Sequence, residues 1–200
     1  MQMPNFIYLQ PVDFSCVGIV TKSCDNAKLN IAINESKEFD MDPIFCYDFF
    51  EDILKKWSDL PETDLTEEQQ NYKDLIYGST YSDNGKNKKH LGIKRLWTYY
   101  SYAKYVVINA HNDSPNGLTS KQNDWSMPVP LKEINTISAR YSNMAKETLI
   151  NIKEYLCLNK EKFPKFDDCE CSLQCGCIGA CNCDGKPKRI SGFKFRSVSK

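Results

Sequence analysis

Residues 91–113 read LGIKRLWTYYSYAKYVVINAHND, with apolar or aromatic side chains recurring every three or four positions. At 3.6 residues per turn, these positions share one broad face of a helix. That face carries Leu96, Tyr99, Tyr100, Ala103, Val106, Val107 and Ala110. Because the face is so broad, the sequence predicts that this helix is central to the domain.

Tyrosines are concentrated in the same stretch, at Tyr99, Tyr100, Tyr102 and Tyr105. Such a cluster can serve as a platform on which nucleic-acid bases stack. At helical spacing, however, tyrosines more often belong to the core, with their hydroxyl groups reaching towards water. We therefore assign this cluster to the core.

Two helices are predicted upstream, and each has a recognisable start. Asp25 is a suitable N-cap for a helix that leads towards Phe39. Asp42 followed by Pro43 indicates a second start, because proline suits the first helical position, where no amide donor is needed. That helix should run to about Ser58. Its apolar stripe consists of Cys46, Phe49, Phe50, Ile53, Leu54 and Trp57.

A third upstream helix and a long downstream helix complete the helical set. Thr66 and Gln69 have the spacing of a capping box, and Gly78 can end the helix that they begin. The range 131–158 has a continuous apolar stripe and, at 1.5 Å per residue, would span about 40 Å. That stripe consists of Ile134, Ile137, Tyr141, Met144, Ala145, Leu149, Ile152 and Leu156.

The connecting segments are polar or rich in proline. We expect an extended arm or short strand over 5–20 and a surface loop over 79–90, where Asn84-Gly85 signals a turn. The segment 113–130 is too rich in proline for a long helix and has room for a short hairpin. The predicted fold is mainly α: a small multi-helix bundle over residues 1–160, followed by a cysteine-rich, basic and largely irregular tail over 161–200.

The charge of the chain is unevenly distributed. Residues 1–83 carry 6 basic and 16 acidic side chains, and residues 84–200 carry 20 and 10, so the two parts have net charges of −10 and +10. Such a polarised subunit could stack acidic face against basic face in a ring, or the segregation could be chance. No apolar run approaches the roughly 20 residues of a membrane span, so we expect no membrane partner.

Six of the ten cysteines form a repeated Cys-x-Cys pattern, at Cys169, Cys171, Cys175, Cys177, Cys181 and Cys183. Thiolates this dense could bind zinc, although structural zinc sites usually have wider ligand spacing. The alternatives are disulfides formed on oxidation and unligated thiols. We interpret Cys16, Cys24, Cys46 and Cys157 as structural, with Cys46 and Cys157 acting as free, apolar thiols within helices.

Enzymatic activity is not predicted. Only His90 and His111 could act as acid-base groups near neutral pH, and we expect both to be exposed, in or beside loops. The G-x-S-x-G, H-E-x-x-H, G-x-x-x-x-G-K-[ST] and G-x-G-x-x-G motifs do not occur in the sequence. No cofactor is required by this interpretation, apart from zinc at the cysteine cluster if those thiols bind it.

Three stretches together resemble a known family. They are ESKEFDMDPIFCYDFFEDILKKW (35–57), YKDLIYGSTYSDNGKNKKHLGIKRLWTYYSYAKYVV (72–107) and YLCLNKEKFPKF (155–166). Over residues 25–166 their order is similar to that in head-to-tail connector (adaptor) proteins of tailed bacteriophages, above all those of crAss-like phages that infect Bacteroidetes. The cysteine cluster departs from this family pattern.

The resemblance implies a virion protein, assembled in the host cytoplasm, that forms a ring commonly of twelve copies. Such a ring binds the portal protein on one side and the next tail ring on the other, and DNA passes through it without sequence-specific recognition. The segments 35–50 and 113–130 would be subunit contacts.

The resemblance also implies that the C-terminal extension contacts the portal. The candidate residues are Lys186, Lys188, Arg189, Phe193, Lys194, Phe195 and Arg196. Because Phe193 and Phe195 alternate with basic residues, this end could add a strand to a neighbouring sheet. A disordered basic tail is the alternative. The main rival function is a nucleic-acid-binding module, folded by zinc, whose basic tail grips phosphates. An enzyme of unrecognised type is a second rival.

Overall fold

Helix α5 (Gly92–Ala110) lies at the centre of the computed structural model. It packs against α1 (Asn26–Ser36), α4 (Glu67–Tyr77) and α6 (Leu131–Leu158). The structure describes residues 8–17, 25–61, 63–114, 117–120 and 129–167. The predicted mainly α fold is confirmed, and α6 has the predicted bounds. The central position of α5 is confirmed too, and Tyr99, Tyr100 and Tyr105 are buried as core residues.

The other elements are short. They are a 3-10 helix (Pro11–Cys16), a π-helical turn (Lys37–Met41), α2 (Asp42–Phe45), α3 (Tyr47–Ser58), a hairpin of β1 (Thr80–Asp83) and β2 (Lys86–Lys89), a hairpin of β3 (His111–Ser114) and β4 (Gly117–Ser120), a second 3-10 helix (Lys160–Lys162) and α7 (Pro164–Asp167). Within the described parts of the chain, no helix combines the length and apolarity needed to cross a membrane.

The described part of the N-terminal segment, residues 8–17, is not the extended arm that we predicted over 5–20. Pro11–Cys16 forms a 3-10 helix, and the Asp13 carboxylate accepts a hydrogen bond of 2.9 Å from the Gln10 amide. The prediction was wrong because Leu9 and Phe14 are both fully buried. A compact turn brings both side chains onto the core, which a strand-like arm could not do.

The second upstream helix, predicted over 42–58, is divided in two at Cys46. α1 starts as expected, with the Asp25 carboxylate accepting from the Lys28 amide. The backbone then stays helical through the π-helical turn and α2, past Pro43, and breaks only at Cys46, whose φ is 58°. In the π-helical turn the Asp42 amide donates to the Lys37 carbonyl, five residues back. This altered hydrogen bonding accommodates a proline that has no amide to donate.

The core is rich in aromatic side chains. The predicted stripe is confirmed over α3, where Phe49, Phe50 and Ile53 are fully buried, but Cys46 lies before α3 and is only partly buried. Phe163 and Phe166 are also fully buried, and their rings lie 6.5 and 5.4 Å from the Phe49 ring, centroid to centroid. Burying such a side chain typically stabilises a fold by roughly 1.5–3 kcal/mol. The packed domain therefore extends past residue 160, where we had placed its boundary, to at least residue 166.

The polar stretch 79–90 is a β-hairpin and not the surface loop that we predicted. Asn84 and Gly85 form its turn, with φ values of 49° and 75°. Two successive positive φ values are typical of the tight turns that match the twist of paired strands. Tyr81 turns inward from β1 and is buried. The second hairpin agrees with the short hairpin expected over 113–130, although it begins at His111.

Candidate functional site

Helix α5 separates two sides of the domain. On one side, the Trp97 indole donates to Ser36 Oγ at 2.9 Å, and the Ser101 and Ser36 hydroxyls lie 2.7 Å apart. On the other side, the Ser138 hydroxyl donates to the Ala103 carbonyl at 2.8 Å. At about 100° per residue, positions 97 and 101 point away from positions 99 and 103. α1 and α6 therefore cover opposite sides of α5.

The α1 side carries a segment that is strongly acidic. Residues 35–51, which we call the acidic segment, contain six acidic side chains and one basic side chain. Two aromatic side chains of this segment are unusually exposed: Phe39 at 69% and Tyr47 at 62%. Exposed aromatic residues beside polar neighbours are common where one protein surface binds another. The acidic segment is therefore one candidate interaction surface, and it overlaps the predicted contact 35–50.

The π-helical turn carries Phe39 on its exposed side and Met41 on its buried side. Within this turn Met41 is fully buried, while Phe39 is exposed beside Lys104, whose Nζ lies 5.9 Å from the centre of its ring. Lys104 also pairs with Asp40 at 3.2 Å, which fixes the turn against α5. π-helical insertions are rare and are often found at functional sites.

Lys37 forms ion pairs that connect different parts of the acidic segment. Its Nζ lies 3.3 Å from an Asp42 carboxylate oxygen and 2.8 Å from a Glu51 oxygen, so it links the turn to α2 and α3. Burial lowers the pKa of Lys37, but hydrogen bonds and charge attraction from Glu51 and Asp42 outweigh this and raise it overall. The segment is thus a defined structure, and its excess negative charge remains at the surface.

The α6 side carries an open groove of about 800 Å³. Leu91 and, from α5, Tyr99 line it. From α6 it is lined by Thr136, Ala139, Arg140, Asn143, Met144 and Glu147. Its lining carries one basic and one acidic side chain, Arg140 and Glu147. We call this surface the α5–α6 groove.

Some acidic residues of the first part of the sequence form ion pairs with basic residues of the second part. Asp13 pairs with Lys94 at 2.8 Å and Asp52 with Lys165 at 2.6 Å, each joining an acidic residue of the first part to a basic residue of the second. These pairs favour packing of the two parts of the chain against each other. The acidic segment nevertheless keeps a net charge of −5 by residue count.

The expectation that His90 is exposed was wrong. Its imidazole is fully buried, stacked on the Tyr155 ring at 4.3 Å between centroids, and its Nε2 lies 3.0 Å from Ser79 Oγ. Burial lowers the pKa of His90 to about 4, against a weak opposing effect of Asp74. Because α6 and the first hairpin close around it, His90 is neutral near pH 7. His111 is partly exposed.

The Ser79–His90 pair resembles a nucleophile and its base only in distance. A catalytic pair needs a third group that orients the base and a path for substrate. In the described part of the chain, His90 Nδ1 is buried with no hydrogen-bond partner, and the imidazole has no exposed surface. We interpret this pair as structural.

The predicted site residues of the tail lie outside the described residues. This applies to the six cysteines from Cys169 to Cys183 and to the basic and aromatic residues from Lys186 to Arg196. Over residues 8–167, apart from the gaps given above, no cluster of three or more His, Cys, Asp or Glu side chains is placed to hold a metal. Zinc binding by the tail stays a prediction.

Two of the structural cysteines differ in state. Cys157 is a buried thiol, as predicted. Cys46 is disulfide-bonded, so its prediction as a free thiol was wrong. The physical reason is its position: Cys46 ends α2 at a positive φ and is only partly buried, and it is not an interior position of a continuous helix.

Sequence reasoning missed the α5–α6 groove and the exposure of Phe39. Leu131–Leu158 was correctly predicted as a helix with an apolar stripe, but a groove depends on how far two helices stand apart, which periodicity does not encode. For Phe39 a signal did exist. It lies between Glu38 and Asp40, and an aromatic residue between two carboxylates fits a surface better than a core.

The domain is thus a mainly α bundle with two candidate interaction surfaces on opposite sides of its central helix. Residues 43–175 match the model of DUF6712, a family of unknown function, and the chain belongs to that family. No curated protein and no solved structure matches the chain. The family match crosses residue 160, in agreement with the buried Phe163 and Phe166.

Proposed function

We propose that this chain is a structural subunit that assembles with identical copies into a ring. The observation that carries the proposal is the placement of the acidic segment and the α5–α6 groove on opposite sides of α5. A surface that binds a different surface of an identical copy makes a heterologous contact, and repeated heterologous contacts close into a ring when the rotation between copies allows it. A twofold dimer would instead use one surface on both copies.

We also propose where the ring lies. The resemblance to head-to-tail connectors supports a ring in a phage virion, commonly of twelve copies, that docks on the portal protein, faces the next tail ring and lets DNA pass. In this proposal the tail residues Lys186 to Arg196 contact the portal. The helical bundle serves as a rigid support, and the function requires no catalytic step and no cofactor.

The first test is the mass of the purified chain, measured by mass photometry from low to high micromolar concentration and again with the matching portal protein. We expect a ring, formed alone or on the portal, and a complex in which the portal is covered by several copies. The wild-type chain is compared with a variant that lacks residues 186–200, which should still self-associate but should bind the portal more weakly.

Two outcomes would contradict the proposal, and they mean different things. A chain that stays monomeric at all concentrations and does not bind the portal is not a ring subunit. If that monomer binds duplex DNA with an affinity that falls steeply with salt, the rival nucleic-acid-binding function is favoured. If deletion of residues 186–200 leaves the affinity for the portal unchanged, only the assignment of the tail to the portal interface is contradicted.

A further inference from the structure

We infer that neighbouring copies join by docking Phe39 of one copy into the α5–α6 groove of the next, with Glu38 of the first copy facing Arg140 of the second. This inference rests on the proposed ring. It specifies which residues form the contact and which surface each copy contributes. Neither the family match nor the fold class supplies this information.

The two surfaces fit each other in size and chemistry. Phe39 is 69% exposed, and the groove, at about 800 Å³, has room for its ring. The groove offers the Tyr99 ring and the apolar side chain of Met144 as contacts. Aromatic residues held in a pocket by rigid neighbours commonly dominate the energy of an interface.

The two surfaces also carry one pair of opposite charges. Glu38 is exposed immediately before Phe39, and Arg140 is exposed on the wall of the groove. The acidic segment has a net charge of −5, and Arg140 is the basic side chain of the groove lining, seven positions before Glu147 on α6. An opposite-charge pair beside an apolar contact favours one register over others.

The fold prevents a chain from making this contact with itself. Phe39 lies on the α1 side of α5, next to Lys104, and the groove lies on the α6 side. Since α5 separates them, a chain's own Phe39 cannot enter its groove, and this contact joins two copies. A second copy presents the required aromatic and acidic residues in a fixed geometry.

Because each copy contributes a different surface to the contact, a mixture of two variants tests the inference. Phe39→Ala removes the inserted ring but keeps the groove, and Ala139→Trp fills the groove but keeps Phe39. Both positions are exposed, so both variants should fold. We expect each variant alone to self-associate at least about tenfold more weakly than the wild-type chain. An equimolar mixture should form one-to-one dimers through the single intact contact.

A charge reversal tests the register. Glu38→Arg and Arg140→Glu should each weaken self-association, and the chain that carries both changes should recover much of it, because the attraction is restored with the signs exchanged. Ile150→Ala is the matched control, since Ile150 is an exposed apolar residue of α6 outside the groove lining, and it should leave the mass distribution unchanged.

The results separate this inference from the proposed ring. If the wild-type chain forms rings and Phe39→Ala forms them equally well, the contact is wrong and the ring stands. If both variants are monomeric and their mixture forms no dimer, the contact is not heterologous in the manner inferred, and the inference falls. A wild-type chain that never self-associates, with or without portal, overturns both.

Discussion

Gly78 and Gly92 pack backbone against backbone where the β1–β2 hairpin leaves α4 and enters α5. A Cβ atom placed on Gly92 would lie 2.4 Å from the Gly78 amide nitrogen and 2.4 Å from the Ile76 carbonyl oxygen. Both glycines have positive φ values, 93° and 83°. The contact closes the base of the hairpin, and only residues without a side chain allow it.

Gly92→Ala should therefore be strongly destabilising. The variant must adopt a left-handed conformation, which costs an alanine roughly 1–2 kcal/mol, and must also push two backbone segments apart. We expect the free energy of unfolding to fall by about 3 kcal/mol or more, measured by urea denaturation. Gly85→Ala is the control, because it has a similar φ of 75° but no atom within 4 Å of the added Cβ. A loss at Gly92 no larger than that at Gly85 would argue against the close contact.

The buried His90 predicts a pH dependence of stability. Its pKa is lowered to about 4 in the folded chain, from 6.5 in the unfolded chain. Between these values the unfolded state binds the proton more readily, so stability rises with pH and is complete above about 6.5. As pH falls from 6.5 through 4, this contribution is lost, up to about 3 kcal/mol, because 1.36 kcal/mol corresponds to one pKa unit.

The measurement is the free energy of unfolding at several values between pH 4 and pH 7. His90→Phe should keep the ring stacked on Tyr155 and should flatten the slope over this range, because phenylalanine cannot take up a proton. His111→Asn is the control for the loss of an imidazole outside this buried site. An equal slope in wild type and His90→Phe would show that other groups carry the pH dependence.

The sequence predicted the helices well, because apolar periodicity and capping residues are local features of the chain. α6 was predicted from a stripe that follows a proline-rich segment, and α4 from a capping box in which the Thr66 hydroxyl accepts from the Gln69 amide and the Gln69 side chain accepts from the Thr66 amide. These interactions join residues three or four positions apart. They form in the same way wherever the helix is later packed.

Features that depend on distant parts of the chain were missed. The stretch Thr80–Lys89 has no apolar alternation, and in β1 only Tyr81 is buried. It pairs as strands because Tyr81 donates to Glu154 on α6 at 2.8 Å and its neighbour His90 stacks on Tyr155. Partners more than 60 residues away supply this burial, so no local pattern could reveal it. The same holds for the α5–α6 groove.

Asp52 connects three elements and should matter for stability. Its carboxylate on α3 accepts hydrogen bonds from the Tyr72 hydroxyl of α4 at 2.5 Å and from Lys165 Nζ of α7 at 2.6 Å. Burial raises the pKa of Asp52, but these two hydrogen bonds and the nearby positive charge outweigh burial and hold the pKa below its usual value. The ionised carboxylate is therefore stabilised by folding.

Asp52→Asn should lower the free energy of unfolding at pH 7 by about 1–3 kcal/mol, since it removes the charge from two charge-assisted hydrogen bonds. The lowered pKa means that this contribution is present above the unfolded value of 3.8 and is lost as pH falls through the folded value. Denaturation of wild type and variant at pH 7 and in acid measures the difference. Asp48→Asn, an exposed position on the same helix, is the control. A difference that persists undiminished in acid would contradict the assignment.

The two states of cysteine in the domain predict a defined pattern of alkylation. Cys157 is a buried thiol on α6, and Cys46 is disulfide-bonded at the end of α2. A thiol reagent should leave both unmodified in the native chain, because burial shields one sulfur and oxidation blocks the other. In denaturant without reductant, Cys157 should react and Cys46 should not, and reductant should make Cys46 reactive as well. Peptide mass mapping reads each step, and modification of Cys46 in denaturant alone would mean that its sulfur is reduced.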